Sequence, residues 1–180
     1  MKESKRVTPT FRKKQKVVVA GAAAGVLAML VALLALPGWM PSLPQAADAG
    51  ARLAFAAKWN ALAAAPLFLA VVSISTARFT SYAIDPIVGG ETAAMKINAR
   101  VLGNTLEQYA LFVAASFAIA ATLRGDRLAI VAAASLIFIF ARLTFWIGYR
   151  LNPLHRAFGY ACTASLNLVL FGIATWHAWM

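Results

Sequence analysis

The sequence contains few of the residues from which most soluble enzymes build catalytic and metal sites. Charged residues make up 13% of the 180 residues, only six residues are acidic, and there are one cysteine and two histidines. A single cysteine excludes an internal disulfide bond. The histidines show no metal-ligand spacing, and the sequence has no glycine-rich phosphate loop or Ser-His-Asp arrangement. We therefore expect no metal site and none of the common nucleotide-binding or serine-hydrolase chemistries.

The abundant residues are apolar or basic. Hydrophobic residues make up 62% of the chain, a content typical of membrane proteins and too high for one soluble core. The 17 Lys and Arg residues give a formal net charge of +11, but they lie beside apolar runs instead of forming a patch interleaved with aromatic residues. This pattern favours orientation in a bilayer and contact with membrane lipids over nucleic-acid binding.

Five apolar runs approach the roughly 20 residues that an α-helix needs to cross a bilayer. They cover residues 17–36, 59–77, 101–123, 128–149 and 157–179. The second run contains Pro66, which membrane helices tolerate better than soluble helices do. The predicted fold class is therefore an all-α membrane protein with five transmembrane helices.

The basic residues predict how these helices are oriented. The tail of residues 1–16 carries seven Lys or Arg residues, which by the positive-inside rule holds the N-terminus in the cytoplasm. Five crossings then place thirteen of the 17 basic residues on the cytoplasmic side. Residues 37–54 are predicted as an external linker with little fixed structure before about Arg52. We interpret residues 17–36 as an extra N-terminal helix; a signal peptide cleaved near residues 47–49 is the alternative, but its apolar core would be unusually long.

Polar residues gather at the cytoplasmic ends of the later helices. Arg100, Asn104 and Glu107 follow one another at spacings of four and three, so they share one face of the third helix. Arg142 and Tyr149 share a face at the same end of the fourth helix, which runs back towards the cytoplasm. Two helices therefore present polar faces at the same depth.

Arg142 and Arg156 make this region a candidate anion site. Arg142 lies within an apolar run, where an arginine costs on the order of 2.5 kcal/mol or more at mid-membrane and needs a partner. Glu107 is the expected partner, and an ionic lock that only fixes helix packing is one interpretation. Arg156 begins the fifth span, where the helix N-terminus adds to its positive charge. Together with Arg100, these residues make three arginines beside one glutamate. The surplus positive charge favours an anionic ligand or a lipid head group.

Three motifs in this region resemble those of a known membrane family. The segments are NARVLGNTLEQ (residues 98–108), FARLTFWIGY (140–149) and HRAFGY (155–160). In this order and spacing they resemble the membrane-associated proteins in eicosanoid and glutathione metabolism, the MAPEG family, over roughly residues 55–180. The resemblance implies a four-helix transmembrane bundle, preceded here by the extra helix of residues 17–36. It also implies a homotrimer that holds glutathione between subunits near the cytoplasmic face.

The resemblance also assigns roles to individual residues. The glutathione-binding positions of the family correspond to Arg100, Asn104, Glu107 and Arg142. Tyr149 and Arg156 correspond to catalytic positions, where the tyrosine hydrogen-bonds near the sulfur and the arginine stabilises the thiolate. A thiol with a pKa of about 8.5, the value of free cysteine, needs such a cation to become a nucleophile at neutral pH.

Two hypotheses about function follow. The first is an integral protein of a bacterial inner membrane that binds glutathione or a similar anionic thiol as co-substrate. It would act as a transferase or peroxidase on a small lipophilic substrate. The second is a non-catalytic scaffold or lipid-binding protein of the same fold, with phospholipid head groups in the basic cavity. Phe145 favours the second, because several family members have tyrosine there and a phenyl ring cannot donate a hydrogen bond to a thiolate.

Overall fold

The computed structural model describes residues 9–85 and 87–179 of the chain. Regular structure in these ranges is helical throughout, which confirms the predicted fold class. Residues 1–8, half of the predicted basic tail, lie outside the described residues. The α-helices in the described ranges are α1 (Pro9–Ala35), α2 (Ala49–Ala63), α3 (Ala65–Phe79), α4 (Ala93–Thr122), α5 (Ala129–Leu151) and α6 (Arg156–Trp179).

Five helical segments in the described ranges are long and apolar enough to cross a membrane, as the sequence predicts. Four of the helices make one segment each, and α2 and α3 together make the fifth. α2 and α3 are separated at Ala64, just ahead of Pro66, because proline has no amide hydrogen to donate to the preceding helical turn. Large apolar side chains such as those of Leu34 and Phe68 are exposed on these helices, where lipid covers them. The chain is an integral membrane protein.

The connection between α1 and α2 has more regular structure than the sequence predicts. A 3-10 turn covers Leu36–Trp39, and α2 begins at Ala49, ahead of the position near Arg52 where fixed structure is expected. A carboxylate oxygen of Asp48 accepts a hydrogen bond from the amide of Ala51 at 2.8 Å. This cap provides a hydrogen-bond acceptor for one of the free amides of the first turn. The helix can therefore begin at Ala49 instead of near Arg52.

Arg52 ties this connection to the end of α4. Its Nε donates to the carbonyl oxygen of Ala120 at 3.0 Å, and its Nη2 donates to that of Ala121 at 3.1 Å. Carbonyl groups in the last turn of a helix lack intrahelical donors, and the guanidinium charge complements that end of the helix dipole. The amide of Leu43 also donates to the oxygen of Gly125 at 3.1 Å, so the connection lies against the turn between α4 and α5.

α6 is central to the bundle and contacts α1, α4 and α5. α1 packs along it through Gly21 and Gly25, whose spacing of four is the small-residue pattern of closely packed membrane helices. A Cβ atom on Gly25 would collide with the carbonyl oxygen of Phe158. Gly21 lies opposite Ala157, and Gly25 lies opposite Phe158 and Cys162. The two helices therefore run in the same direction.

α4 is longer at its N-terminal end than the predicted third span. It begins at Ala93, about two turns before residue 101. The hydroxyl oxygen of Thr92 accepts a hydrogen bond from the amide of Met95 at 3.2 Å and caps the helix. Arg100 and Asn104 therefore lie well inside a regular helix, which fixes their positions relative to one another.

Close backbone packing also sets the position of α6 against α5. A Cβ atom on Gly159 would collide with the carbonyl oxygen of Ala141 and the amide of Phe145. A Cβ atom on Gly148 would come within 2.8 Å of the carbonyl oxygen of His155. The turn between the helices thus folds back onto the last turns of α5, and Arg156, which follows it, starts α6 beside that helix.

Candidate functional site

A cavity of 370 Å³ lies where α4, α5 and α6 meet, next to the start of α6. Each of the three helices contributes two side chains to its wall. The lining residues are Arg100 and Asn104 from α4, Phe145 and Tyr149 from α5, and Arg156 and Tyr160 from α6. The structure therefore brings together four of the six site residues predicted from the sequence. We call this space the polar cavity.

Arg142, the fifth predicted residue, lies behind the wall of the polar cavity. Its side chain is almost completely buried, with 1% exposure. Its Nη2 donates to Thr105 Oγ1 at 2.9 Å and to Asn104 Oδ1 at 3.0 Å, and its Nε donates to the same threonine oxygen at 3.2 Å. The guanidinium carbon also lies 4.1 Å from the ring centroid of Phe145. Arg142 thus holds two of the side chains that line the cavity.

One donor of Arg142 is left over. The Nη1 atom is buried and has no hydrogen-bond partner among the described residues. An unpaired charged donor inside a membrane protein is costly, and it is usually retained where a ligand or an ordered water completes its hydrogen bonds.

Glu107, the sixth predicted residue, does not pair with Arg142 as the sequence suggests. Its carboxylate is exposed, and Oε2 accepts a hydrogen bond from Asn104 Nδ2 at 3.4 Å. The ion pairs of the described residues do not include an Arg142–Glu107 pair, so the expected ionic lock is wrong for this chain. The reason is helical geometry: Thr105 faces α5, and Glu107, two residues later, points about 200° away around α4.

Tyr149 is the meeting point of the two more exposed arginines. The guanidinium carbon of Arg156 lies 4.8 Å from the centroid of the Tyr149 ring, a distance within the range of a cation–π contact. Arg100 lines the same cavity as Tyr149 and Arg156. The ring of Phe145 packs edge-on against that of Tyr149 at 5.8 Å. A molecule in the polar cavity would therefore meet two cations and one phenol at the same point.

Tyr160 is the lining residue that the sequence interpretation missed. It lies four residues after Arg156, so the two side chains share one face of α6. That spacing within the HRAFGY motif was the available signal. Tyr160 adds a side chain with a hydroxyl group to the cavity wall, a hydrogen-bond donor of a kind that Phe145 lacks.

A second polar cluster fixes the helices around the cavity. Asn98 Nδ2 donates to Ser73 Oγ at 3.0 Å, and Trp146 Nε1 donates to Asn98 Oδ1 at 2.9 Å. These two hydrogen bonds join α3, α4 and α5 through one buried amide. Because Asn98 is two residues from Arg100 and Trp146 is next to Phe145, the cluster also fixes the register of the cavity walls.

The charge of the polar cavity suits an anion. Arg100 and Arg156 line it, Arg142 lies behind Asn104, and none of the described acidic side chains forms part of its wall. Glu107 lies at its edge through the hydrogen bond to Asn104. Guanidinium groups bind carboxylates with paired, charge-assisted hydrogen bonds, so this arrangement suits a ligand with negatively charged groups.

Comparison with family models gives one finding. The model of the MAPEG family matches residues 55–176, a range that starts within α2, ends near the end of α6 and contains every residue of the polar cavity. α1 lies before the matched range. Comparisons with curated proteins and with solved structures give no match.

Proposed function

The chain belongs to the MAPEG family, and on that premise we propose that it binds glutathione, or a similar anionic thiol, in the polar cavity. The observation that carries this proposal is the convergence of Arg100 and Arg156 on one cavity, with the unpaired donor of buried Arg142 close behind it. Membrane proteins rarely keep three arginines together without a negatively charged partner.

The groups of glutathione match the cavity one by one. One of its carboxylates pairs with the guanidinium group of Arg100, and the other accepts from the unpaired Nη1 atom of Arg142 when Asn104 shifts towards the ligand. Arg156 is then left for the thiol. The ammonium group of glutathione pairs with Glu107. Its peptide groups exchange hydrogen bonds with Asn104, whose amide both donates and accepts.

The thiol end of the ligand meets Arg156, Tyr149 and Tyr160. The positive charge of Arg156 favours loss of the thiol proton to water, and either phenol can donate a hydrogen bond to the thiolate. The thiolate then forms an S–C bond with a lipophilic electrophile, and the leaving group departs with its bonding electron pair. With a hydroperoxide, the sulfur attacks the terminal oxygen and the alcohol leaves; a second glutathione converts the sulfenic acid to a disulfide and water.

The orientation and assembly belong to the same proposal. We place the polar cavity at the cytoplasmic face of a bacterial inner membrane, where the N-terminus also lies, because the basic residues gather at this end of the helices. The exposed apolar side chains of Leu106 and Leu111 on α4 flank Glu107. A homotrimer would cover this face and close the open side of the polar cavity.

The test is a calorimetric titration of the purified full chain in lipid nanodiscs with glutathione. We expect saturable binding at cellular glutathione concentrations, weakened at least about tenfold, or about 1.4 kcal/mol, by Arg100→Ala or Arg156→Ala. Arg124→Ala is the matched control, because Arg124 is an exposed arginine in the turn at the other end of α4. An absence of saturable binding by the unmodified protein would refute the proposal.

The non-catalytic alternative is tested with the same protein. Phe145 in the cavity wall favours it, because the phenyl ring gives no hydrogen bond to a thiolate. Glutathione binding without turnover of any model electrophile or hydroperoxide would support a scaffold. Turnover that depends on glutathione and is lost in Arg156→Ala would establish the enzyme.

A further inference from the structure

The start of α1 extends beyond the helix against which α1 packs. Gly21 lies opposite Ala157, the second residue of α6. Arg12 lies nine residues earlier, about 14 Å further along the axis of α1. All side chains from residue 12 to residue 20 are exposed. This part of α1 is therefore open to surrounding molecules.

The charge of this part of α1 is concentrated in five residues. Residues 12–16 have the sequence RKKQK, so four of the five are basic, and we call them the basic segment. The ion pairs of the described residues include none of these four side chains. Arg12 and Lys16 are one helical turn apart, a spacing at which like charges destabilise a helix, yet the helix is regular throughout the segment. A negatively charged partner would remove this repulsion.

The length of α1 places the basic segment at the level of the lipid head groups. The apolar run of residues 17–36 is about 30 Å long, which equals the thickness of the hydrocarbon core of a bilayer. Trp39, which is exposed just after this run, is of a type that is common at a membrane interface. Lys16 then lies at the opposite edge of the core, and Arg12 lies about 6 Å further out. The head-group layer of one leaflet is about 5–7 Å thick, so the whole basic segment lies within it.

A recess beside α1 has the same order of polarity as a phospholipid. Its lining includes Arg12, Lys16, Val19 and Ala23, whose spacings of four, three and four place them on one face of the helix. The two basic side chains lie at the outer end of this face, and the two apolar ones lie towards the centre of the bilayer. A polyanion without an apolar part, such as RNA, would leave the inner end of the recess uncovered. The order of charge and apolar surface therefore favours a lipid.

We propose that the basic segment binds the head groups of anionic phospholipids, with its Lys and Arg side chains on the phosphate groups. Clusters of four or more basic residues next to a membrane helix are typical of such binding. The site lies on α1, outside the range matched by the family model, and shares no residue with the polar cavity. It goes beyond the proposed binding of glutathione and does not depend on it. Because Gly25 brings α1 into backbone contact with α6, bound lipid would hold both helices at a fixed depth.

The experiment measures which lipids surround the basic segment. A fluorescent dye is attached to the full chain through Gln15→Cys, which replaces the neutral residue of the segment. The native Cys162 is buried, and the unmodified protein serves to check that it takes up no dye. The labelled protein is placed in nanodiscs of phosphatidylcholine and phosphatidylglycerol, and a doxyl quencher is carried by one lipid or the other at the same mole fraction. We expect at least about twofold stronger quenching by the phosphatidylglycerol quencher, and high salt should reduce this preference.

A second label position tests whether the preference is local. Thr80 is exposed and follows α3 at the same end of the bundle, and the nearby Arg78 is paired with Glu91. A dye attached through Thr80→Cys should therefore be quenched about equally by the two lipids.

A pair of matched variants tests whether the basic side chains are responsible. Arg12→Gln combined with Lys16→Gln is expected to reduce the preference at position 15 by about half or more. Arg124→Gln combined with Arg127→Gln removes the same charge from the exposed turn between α4 and α5, at the other end of the bundle, and should leave the preference unchanged. All four residues are exposed, so both variants should remain folded, which thermal unfolding checks.

Three results would overturn the inference. One is equal quenching by the two lipids at position 15, and another is a preference that persists when Arg12 and Lys16 are both replaced. The third is a dye that responds to single-stranded RNA and shows no preference for phosphatidylglycerol, which would assign the basic segment to nucleic-acid binding. None of these results involves glutathione, so this inference and the proposed function can fail separately.

Discussion

Replacing Arg142 with methionine should separate ligand binding from stability. Arg142 is 1% exposed and makes three hydrogen bonds to two acceptors, Thr105 Oγ1 and Asn104 Oδ1. Methionine has a similar length and no charge, so Arg142→Met removes these bonds without opening a large cavity. The two threonine contacts share one acceptor, so we count two hydrogen bonds to a charged group, each contributing about 1.5–3 kcal/mol.

The free-energy cost of keeping the Arg142 charge inside the membrane is nearly as large as the contribution of these hydrogen bonds. Holding an arginine inside the membrane costs about 2.5–3.5 kcal/mol, and one buried donor of Arg142 has no partner among the described residues. The loss of about 3–6 kcal/mol of hydrogen bonding is therefore offset by the relief of that cost. We expect Arg142→Met to change the free energy of unfolding by no more than about 3.5 kcal/mol and to leave a folded protein.

Arg142→Met should reduce glutathione affinity more clearly than it reduces stability. Without Arg142, Asn104 loses the donor that orients its amide, and the polar cavity loses one positive charge behind its wall. We expect the glutathione affinity to fall about tenfold or more, which corresponds to about 1.4 kcal/mol. Arg142→Lys should restore the charge but not both contacts, because an ammonium group lacks the planar fork of a guanidinium, so its affinity should be intermediate.

The assays are calorimetric titration with glutathione and thermal unfolding followed by tryptophan fluorescence, both in lipid nanodiscs. A folded Arg142→Met protein that binds glutathione as tightly as the unmodified chain would refute the reasoning. So would an Arg142→Met protein that no longer folds when Arg142→Lys folds normally, because the charge of Arg142 would then be required for folding.

Three further predictions concern other parts of the structure. Gly25→Val should lower the unfolding free energy by about 1–3 kcal/mol, because its Cβ collides with the backbone of α6; thermal unfolding measures this. Arg52→Ala should cost about 1–3 kcal/mol of stability, measured in the same way, because two carbonyls of α4 lose their donor, and glutathione affinity should not change. Tyr160→Phe should slow glutathione conjugation about tenfold or more by removing a hydroxyl donor from the polar cavity, while affinity measured by calorimetry stays nearly constant.

Each of these predictions has a contradicting outcome, and the first also has a control variant. Gly38→Ala controls for Gly25→Val, because a Cβ on Gly38 meets nothing within 4 Å; equal destabilisation by both would show that the α1–α6 contact is unimportant. Unchanged stability of Arg52→Ala would mean that water satisfies the end of α4 equally well. Unchanged turnover in Tyr160→Phe would assign the donor to Tyr149 alone.

Helical periodicity is what made much of the candidate site predictable. Arg100 and Asn104 share a face because they are one turn apart, and charged residues inside apolar runs point to protein or water instead of lipid. These two facts are enough to place both residues on the polar cavity. The number of membrane spans was predictable for another reason, because each apolar run is long enough to cross a bilayer.

What the sequence did not reveal depends on the rotation of neighbouring helices. Thr105 rather than Glu107 meets Arg142, and a difference of two residues on α4 decides which side chain faces α5. Similarly, the spacing of Gly21 and Gly25 indicates a close helix contact, but it does not say that α6 is the partner. The spacing of Tyr160 from Arg156 indicates that the two share a helix face. A tyrosine in an apolar helix can equally be a packing residue, however, and only its neighbours in the structure distinguish the two roles.

The most direct test of the central claim is a measurement of proximity between glutathione and the arginines. Solid-state NMR can detect dipolar coupling between ¹³C-labelled carboxylates of glutathione and ¹⁵N-labelled guanidinium groups in the membrane-embedded protein. We predict coupling to guanidinium nitrogens that weakens in Arg100→Lys and in Arg142→Lys, disappears when both of these substitutions are present, and persists in Arg156→Lys, because Arg156 meets the thiol. The absence of coupling in the unmodified protein, or coupling that persists in the double variant, would contradict the account.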